Sequence, residues 1–284
     1  MKRLLLQLDS DRHPSSFDAI VAYDAGVDAV MSYGGVAPDD VSALVHGGLF
    51  TRGLPDLKQT AVWIGGSQIA AGEALLAAAV KAFFGPFRVS VMMDSNGCNT
   101  TAAAAVARLG EATRLSEARA VVLAGTGPVG LRAAVLLAGS GAAVTITSRS
   151  GSRAQEVAGQ IKSRFGVEVA GAEAKDAAGV ARALDGAAVC LAAGAAGTTI
   201  LPRSVWSSHR TLKAMADVNA VPPLGIEGIE AADKGAERDG KRVFGALGVG
   251  GLKMKIHKAC LARLFERNDA VLDLEAIWEI AKGL

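Results

Sequence analysis

The stretch from Ala120 to Ser150 constrains this chain more than any other part of it. An apolar run, Ala120-Val-Val-Leu-Ala124, enters Gly125-Thr126-Gly127-Pro128-Val129-Gly130, and an apolar helical stretch follows as far as Leu137. Strand, turn and helix in that order specify a Rossmann-type unit. Each glycine has a physical reason: Gly125 for the tight turn out of the strand, Gly127 for close approach of backbone to a pyrophosphate, Gly130 for packing of the helix on the sheet. The helix beginning at Pro128 aims its unpaired N–H groups and positive dipole end at an anion. The motif therefore predicts a dinucleotide site.

The next strand, Ala143 to Thr147, decides which dinucleotide. An NAD site usually ends this strand with a carboxylate that accepts hydrogen bonds from the ribose, and the same acid would repel a 2′-phosphate. Here the chain reads Thr147-Ser148-Arg149-Ser150, with Arg153 beyond. A guanidinium flanked by two hydroxyls suits a phosphate dianion, because arginine donates in a planar fork and keeps its charge. The residues favour NADP, with NAD weaker.

Strand-like and helix-like stretches alternate along the 284 residues, the pattern of an α/β protein with largely parallel sheets. In the first third, 4–8, 29–32, 61–64 and 89–93 read as strands, and 17–25, 41–46, 69–84 and 100–114 as helices. Beyond the fingerprint, 167–170, 188–192 and 214–218 read as strands. Ala193-Gly194 and Asp217-Val-Asn219 then fall at the carboxyl edge of a sheet, where such folds bind ligands. After the glycine-rich run 245–251, residues 253–265 and 274–282 read as helices. The expected architecture is a two-domain α/β protein. Residues 1–106, completed by 248–284, form an N-terminal domain, and 107–247 form the Rossmann-type domain. A ligand cleft between them follows from that division.

Half of the residues are apolar, supplied by small and aliphatic side chains rather than aromatics, and no apolar run reaches the ~20 residues of a membrane span. The N-terminal apolar run is too short for a signal peptide. A formal charge of +2 gives no reason to expect nucleic acid or an anionic membrane as a partner. Cys98, Cys190 and Cys260 are odd in number and far apart, so neither a disulfide framework nor a zinc site is indicated. No other metal site is indicated, and a reducing cytoplasm is the expected compartment.

Several blocks together resemble a known family. They are 84–90 (Phe-Gly-Pro-Phe-Arg-Val-Ser), Asp94-Ser95-Asn96-Gly-Cys-Asn99-Thr100-Thr101, the fingerprint, Asp217-Val-Asn219-Ala-Val-Pro-Pro-Leu-Gly225, 244–253 and Lys255-Ile-His257. Over essentially its whole length the chain resembles the bacterial NADP-dependent methylene-tetrahydromethanopterin dehydrogenases of one-carbon, methylotrophic metabolism, some of which also accept methylene-tetrahydrofolate. The resemblance implies hydride transfer from the methylene bridge of a tetrahydropterin to NADP, giving the methenyl cation. It implies that the N-terminal domain binds the pterin, and that the protein is a homo-oligomer, a trimer included. Ser150 departs from family members that carry a second basic residue there, which leaves some use of NAD open.

The chemistry asks little of the protein. The bridge carbon lies between two nitrogens whose lone pairs expel the hydride, so no proton leaves in that step and positioning dominates. A carboxylate near the developing cation would stabilise it. Asp18 and Asp94, both near predicted element ends, are the candidates, with helix capping as the alternative. Lys253, matched to a family block, is a candidate to hold a pterin carbonyl or the cofactor amide. Ser95, Asn96, Asn99, Thr100 and Thr101 are candidate pterin contacts or helix caps, and Lys255 and His257 complete the candidate substrate set. Asp217 and Asn219 are expected at the nicotinamide side. Phe17, Tyr33 and Trp63 are candidate stacking partners, with core packing as the alternative. Two other readings compete: a shikimate-dehydrogenase-like reductase, for which no lysine–aspartate block is evident, and an NADP-sensing protein without turnover.

Overall fold

The computed structural model describes residues 1–284. They form two compact units, Met1–Thr100 with Met254–Leu284, and Thr101–Lys253.

The first unit opens with β1 (Leu4–Asp9), α1 (Ser16–Asp24), β2 (Ala29–Tyr33), α2 (Pro38–Leu49), β3 (Thr60–Gly65), α3 (Ile69–Lys81) and β4 (Ser90–Met93). β3 is buried along its whole length and β1 nearly so, as expected of parallel strands covered on both faces. Helix α2 turns Val41, Val45 and Leu49 inward at a spacing of four, against Leu8, Val62, Ile64 and Val91 of the strands. Helix α4 (Cys98–Gly110) carries the chain into the second unit.

There β5 (Arg119–Leu123), α5 (Pro128–Gly139), β6 (Ala143–Ser148), α6 (Gly151–Phe165), β7 (Ala170–Glu173), α7 (Ala177–Leu184), β8 (Val189–Ala192), α8 (Arg203–Trp206), β9 (Ala214–Asp217), β10 (Lys234–Arg238) and β11 (Lys241–Phe244) follow. The sheet order is β10-β11-β9-β8-β5-β6-β7, and every pairing is parallel except β10 with β11. From β5 the chain winds outward through β6 and β7, then returns to the other flank with β8 and β9. The order reverses between β5 and β8, which makes that crevice the topological switch point. Helix α9 (Ala246–Arg263) leads back to the first unit, where β12 (Val271–Leu272) joins the parallel sheet β12-β4-β3-β1-β2 and α10 (Leu274–Ala281) closes the chain.

Three expectations need correction. The strand expected at 167–170 is β7 at Ala170–Glu173, because α6 runs to Phe165 and ends on Gly166 in the left-handed region, leaving 167–169 as the connection. The glycine run near 250, read as preceding the long helix, is itself helical. It forms the first turns of α9, where a Cβ on Gly245 or Gly248 would collide with the carbonyl oxygens of Glu230 and Asp233. Helix α4 spans Cys98–Gly110 rather than 100–114, and a short 3₁₀ turn, Leu115–Glu117, follows it. No helix is long and apolar enough to cross a membrane.

Candidate functional site

The fingerprint occupies the switch point of the second unit. β5 ends at Leu123, and Ala124 takes a positive φ of 51° to start the turn. Neighbouring β6 fixes that turn: the Thr147 hydroxyl accepts the Ala124 N–H at 3.1 Å, and the Thr147 carbonyl accepts the Gly125 N–H at 2.9 Å. A Cβ on Gly130 would lie 2.7 Å from the Gly125 Cα, so helix and turn touch backbone to backbone. Gly127 differs, since nothing stands within 4 Å of where its Cβ would be, and it is the N-cap of α5 with Pro128 in the first turn. Open space in front of a helix N-terminus of twelve residues is what a pyrophosphate needs. Thr126 and Val129 are half-buried flanks of that turn. Across the crevice, Ala193 donates its N–H to the Leu123 carbonyl at 3.0 Å, and a Cβ on Gly194 would lie 3.7 Å from the Ala124 Cβ. Turn and β8 end therefore meet.

Beside the turn opens a cleft of about 380 Å³, lined among others by Ser148, Arg149, Lys175, Asp176, Gly194 and Thr199. Arg149 is exposed and makes no ion pair or side-chain hydrogen bond. Ser148 lines the cleft with it, whereas Ser150 and Arg153 are engaged elsewhere. Ser150 caps α6, its hydroxyl accepting the Arg153 N–H at 3.3 Å and lying 2.8 Å from the Ser152 hydroxyl. The Arg153 guanidinium donates to Glu156 at 2.8 Å along the helix surface and does not line the cleft. Lys175 was missed from the sequence. Ser148 pairs with Glu173 and the Ser148 carbonyl accepts the Ala174 N–H, so the residue after Ala174 falls beside Arg149's strand end. The only signal for it was the true end of β7, which sequence reading had set three residues early.

Asp217 and Asn219 are spent on their own loop. The buried Asp217 carboxylate accepts the N–H groups of Asn219 and Ile226 at 2.9 and 3.0 Å. Burial raises its pKa while those amides pull it down. Asn219 accepts the Val221 N–H and donates to the Pro223 carbonyl, bracing the same loop. Both shape the edge rather than offering free donors to it.

In the first unit, β1, β3 and β4 all end at one sheet edge, and their loops gather polar groups there. Asp94, buried at the end of β4, accepts the N–H groups of Asn99 and Thr100 at 2.8 and 3.1 Å and the Thr100 hydroxyl at 2.5 Å. It anchors the start of α4, and Asn99 and Thr100 are buried in that cap. Asn99 also donates to the Met93 carbonyl. Ser95 is fully buried and donates to the Gly65 carbonyl at 3.1 Å, so it is a structural hydroxyl rather than a surface one. Asn96 is exposed with a positive φ of 54°, and Thr101 is half-buried in α4. Asp18 is half-buried in the first turn of α1, below the Ser15 cap whose hydroxyl accepts its N–H. Sequence reading also missed Asp9, buried at the end of β1, which accepts the N–H groups of Asp11 and Ser15.

His257 is fully buried and stacks on Trp63, their rings 4.6 Å apart and 12° from parallel. Both belong to the core, which is the packing alternative for Trp63 and leaves His257, expected to contact substrate, without exposed surface. Phe17 and Tyr33 keep 50% and 37% of their surface exposed, and the Phe17 ring lies 6.3 Å from that of His257. Lys253 is half-buried inside α9 rather than at its entrance, and Lys255 is exposed on the same helix.

Comparison with known proteins bears on both units. A family model described as methylene-tetrahydromethanopterin dehydrogenase, N-terminal, matches residues 16–96. The bifunctional protein MdtA of Methylorubrum extorquens is 51% identical over 100% of this chain and 99% of its own length. The NAD(P)-dependent methylenetetrahydromethanopterin dehydrogenase of the same organism is 34% identical over 99% of this chain and 98% of its own. Among solved structures, shikimate 5-dehydrogenase from Listeria monocytogenes shares the fold, with a TM-score of 0.55, 13% identity, and coverage of 98% of this chain and 96% of that one. At that identity the likeness is one of architecture alone.

Proposed function

We propose that this chain, which belongs to the methylene-tetrahydromethanopterin dehydrogenase family, oxidises the methylene bridge of a tetrahydropterin to the methenyl cation, with a nicotinamide dinucleotide as hydride acceptor. NADP is preferred to NAD, and methylene-tetrahydromethanopterin is the carrier, with methylene-tetrahydrofolate as a second one. The observation that carries the cofactor reading is the switch-point crevice, where an unobstructed Gly127 fronts α5 and β6 ends in Ser148-Arg149 with no carboxylate. The carrier reading is supported by the family description and by the printed name of the relative that is 34% identical. Neither a shikimate-type reductase nor a sensor without turnover has comparable support, because the likeness to shikimate dehydrogenase is of fold only.

The groups present fit a dinucleotide. The α5 N–H groups hold the pyrophosphate, Gly127 lets it approach, and Arg149 with Ser148 receives the 2′-phosphate. Bound there, the dinucleotide supplies a hydride acceptor. The protein's own part is to orient the carrier, exclude water and place negative charge where the methenyl cation develops. Asp18 is the carboxylate for that role in this proposal. Asp94 is its indirect support, because its oxygens fix the β4–α4 turn. Lys253 and Lys255 hold the carbonyl or amide edges of the ligands, and Asn96, Thr101, Phe17 and Tyr33 complete the pterin-facing set. The subunit acts as a cytoplasmic homo-oligomer, which light scattering on the purified protein checks.

The reaction is tested by following absorbance at the reduced nicotinamide band. Reduction of NADP⁺ is expected only when methylene-tetrahydromethanopterin or methylene-tetrahydrofolate is added. A folded sample that binds NADP yet turns over neither carrier would sink the proposal.

A further inference from the structure

We propose that Lys175, held beside the cleft by Glu173, is the second cation of the adenosine 2′-phosphate site and sets the preference for NADP over NAD together with Arg149. This rests on the dinucleotide reading above.

Three observations carry it. First, of the basic residues near the end of β6, only Arg149 and Lys175 line the cleft. Arg153, which the sequence pattern nominates, has its guanidinium on Glu156. Second, the strand register makes the placement obligatory. Ser148 lies opposite Glu173 and bonds to Ala174, so Lys175 leaves the sheet next to Ser148-Arg149 and just before α7. Third, Glu173 holds the lysine near the start of α6 without itself lining the cleft. One of its carboxylate oxygens pairs with Lys175 at 3.4 Å, and the other lies 3.8 Å from where a Cβ on Gly151 would sit, at the start of the fifteen-residue helix α6.

A carboxylate there receives the positive end of the α6 dipole together with the lysine. The pair is loose, with 65% of the Lys175 side chain and 49% of the Glu173 side chain exposed, so solvent screens it and little is lost when it opens. A phosphate dianion carries more charge and three acceptor oxygens, and it can draw the ammonium from the carboxylate. Two cations, one guanidinium and one ammonium, then face the dianion, while an unphosphorylated ribose leaves Lys175 on Glu173.

The test uses calorimetric titration of the full chain with adenosine 2′,5′-bisphosphate and with 5′-AMP, so it needs neither carrier nor turnover. The wild type is expected to bind the bisphosphate more tightly. Lys175→Met is expected to cut that preference about tenfold, with affinity for 5′-AMP held within about twofold. Glu173→Gln, which frees the lysine and removes a repulsive charge, is expected to raise the preference about threefold or more. Arg153→Met is expected to leave it unchanged. If Lys175→Met leaves the preference intact while Arg149→Met abolishes it, the role of Lys175 is overturned and the dinucleotide reading stands. If the wild type shows no preference for the bisphosphate, the NADP assignment fails and takes this proposal with it. Lys175 is a surface side chain, so unchanged circular dichroism is expected for its variant.

Discussion

Burial lifts the carboxyl pKa of both Asp9 and Asp217 above the ordinary 3.8, even though each accepts two or more backbone N–H groups that pull the other way. Each sits at the carboxyl end of a central strand, β1 in one unit and β9 in the other, and each ties down the loop that follows. A folded-state pKa above the unfolded one means that the folded protein binds more protons between the two values. Stability from these groups is therefore greatest below about pH 3.8 and declines as pH rises through the folded pKa, which is opposite in sign to a salt-bridged aspartate. Such a carboxylate is kept for geometry, not for net stability. Asp217→Asn is expected to flatten the pH dependence of the urea midpoint above pH 4. It is also expected to lower the midpoint at neutral pH, because the Asn219 and Ile226 N–H groups fall on different oxygens and the amide turns one of these into a donor. An unchanged pH profile would show that Asp217 titrates normally.

At the scale of elements, the glycines of α9 divide by what they touch. A Cβ on Gly248 would collide with the Asp233 carbonyl, whereas Gly251 is exposed with nothing within 4 Å. Gly248→Ala is expected to destabilise the protein by about 3 kcal/mol or more, since helix and strand backbone must part. Gly251→Ala is expected to stabilise it by about 0.8 kcal/mol through helix propensity alone. Equilibrium denaturation of the two variants decides this, and equal effects would contradict the packing account. The same run shows where sequence reading stops. Seven residues with four glycines read as a connection ahead of a helix at 253–265, because propensity cannot see that the glycines make room for neighbouring backbone. The hairpin β10–β11 was missed for another reason. Its strands are short and carry five charged residues in nine, without an apolar alternation, although Asp239-Gly240, with φ of 49° and 72°, is the two-residue turn such hairpins favour. Strands buried on both faces, such as β3 and β5, were legible from their continuous apolar runs. The proposed phosphate site was half legible: Arg149 follows its strand in sequence, but Lys175 arrives through register, which no single-strand pattern encodes.

For the whole molecule, residues assigned to the dinucleotide lie in Thr101–Lys253, whereas Asp18, Asp94, Asn96 and Lys255 lie in the unit formed by Met1–Thr100 and Met254–Leu284. Each unit has its own sheet and its own hydrophobic core. Groups in separate cores that share no partner contribute nearly independently to stability and to ground-state binding. Under the proposed function, turnover needs both ligands, whereas binding of adenosine 2′,5′-bisphosphate needs only one site. Asp18→Asn keeps the shape of the side chain at the α1 N-terminus but removes its charge. If that charge stabilises the developing methenyl cation, kcat with the methylene carrier falls about tenfold or more while affinity for adenosine 2′,5′-bisphosphate stays within about twofold. If Asp18 only favours the α1 dipole, the variant loses a little stability and kcat is unchanged. Loss of bisphosphate affinity in step with kcat would show that the two units do not bind their ligands separately.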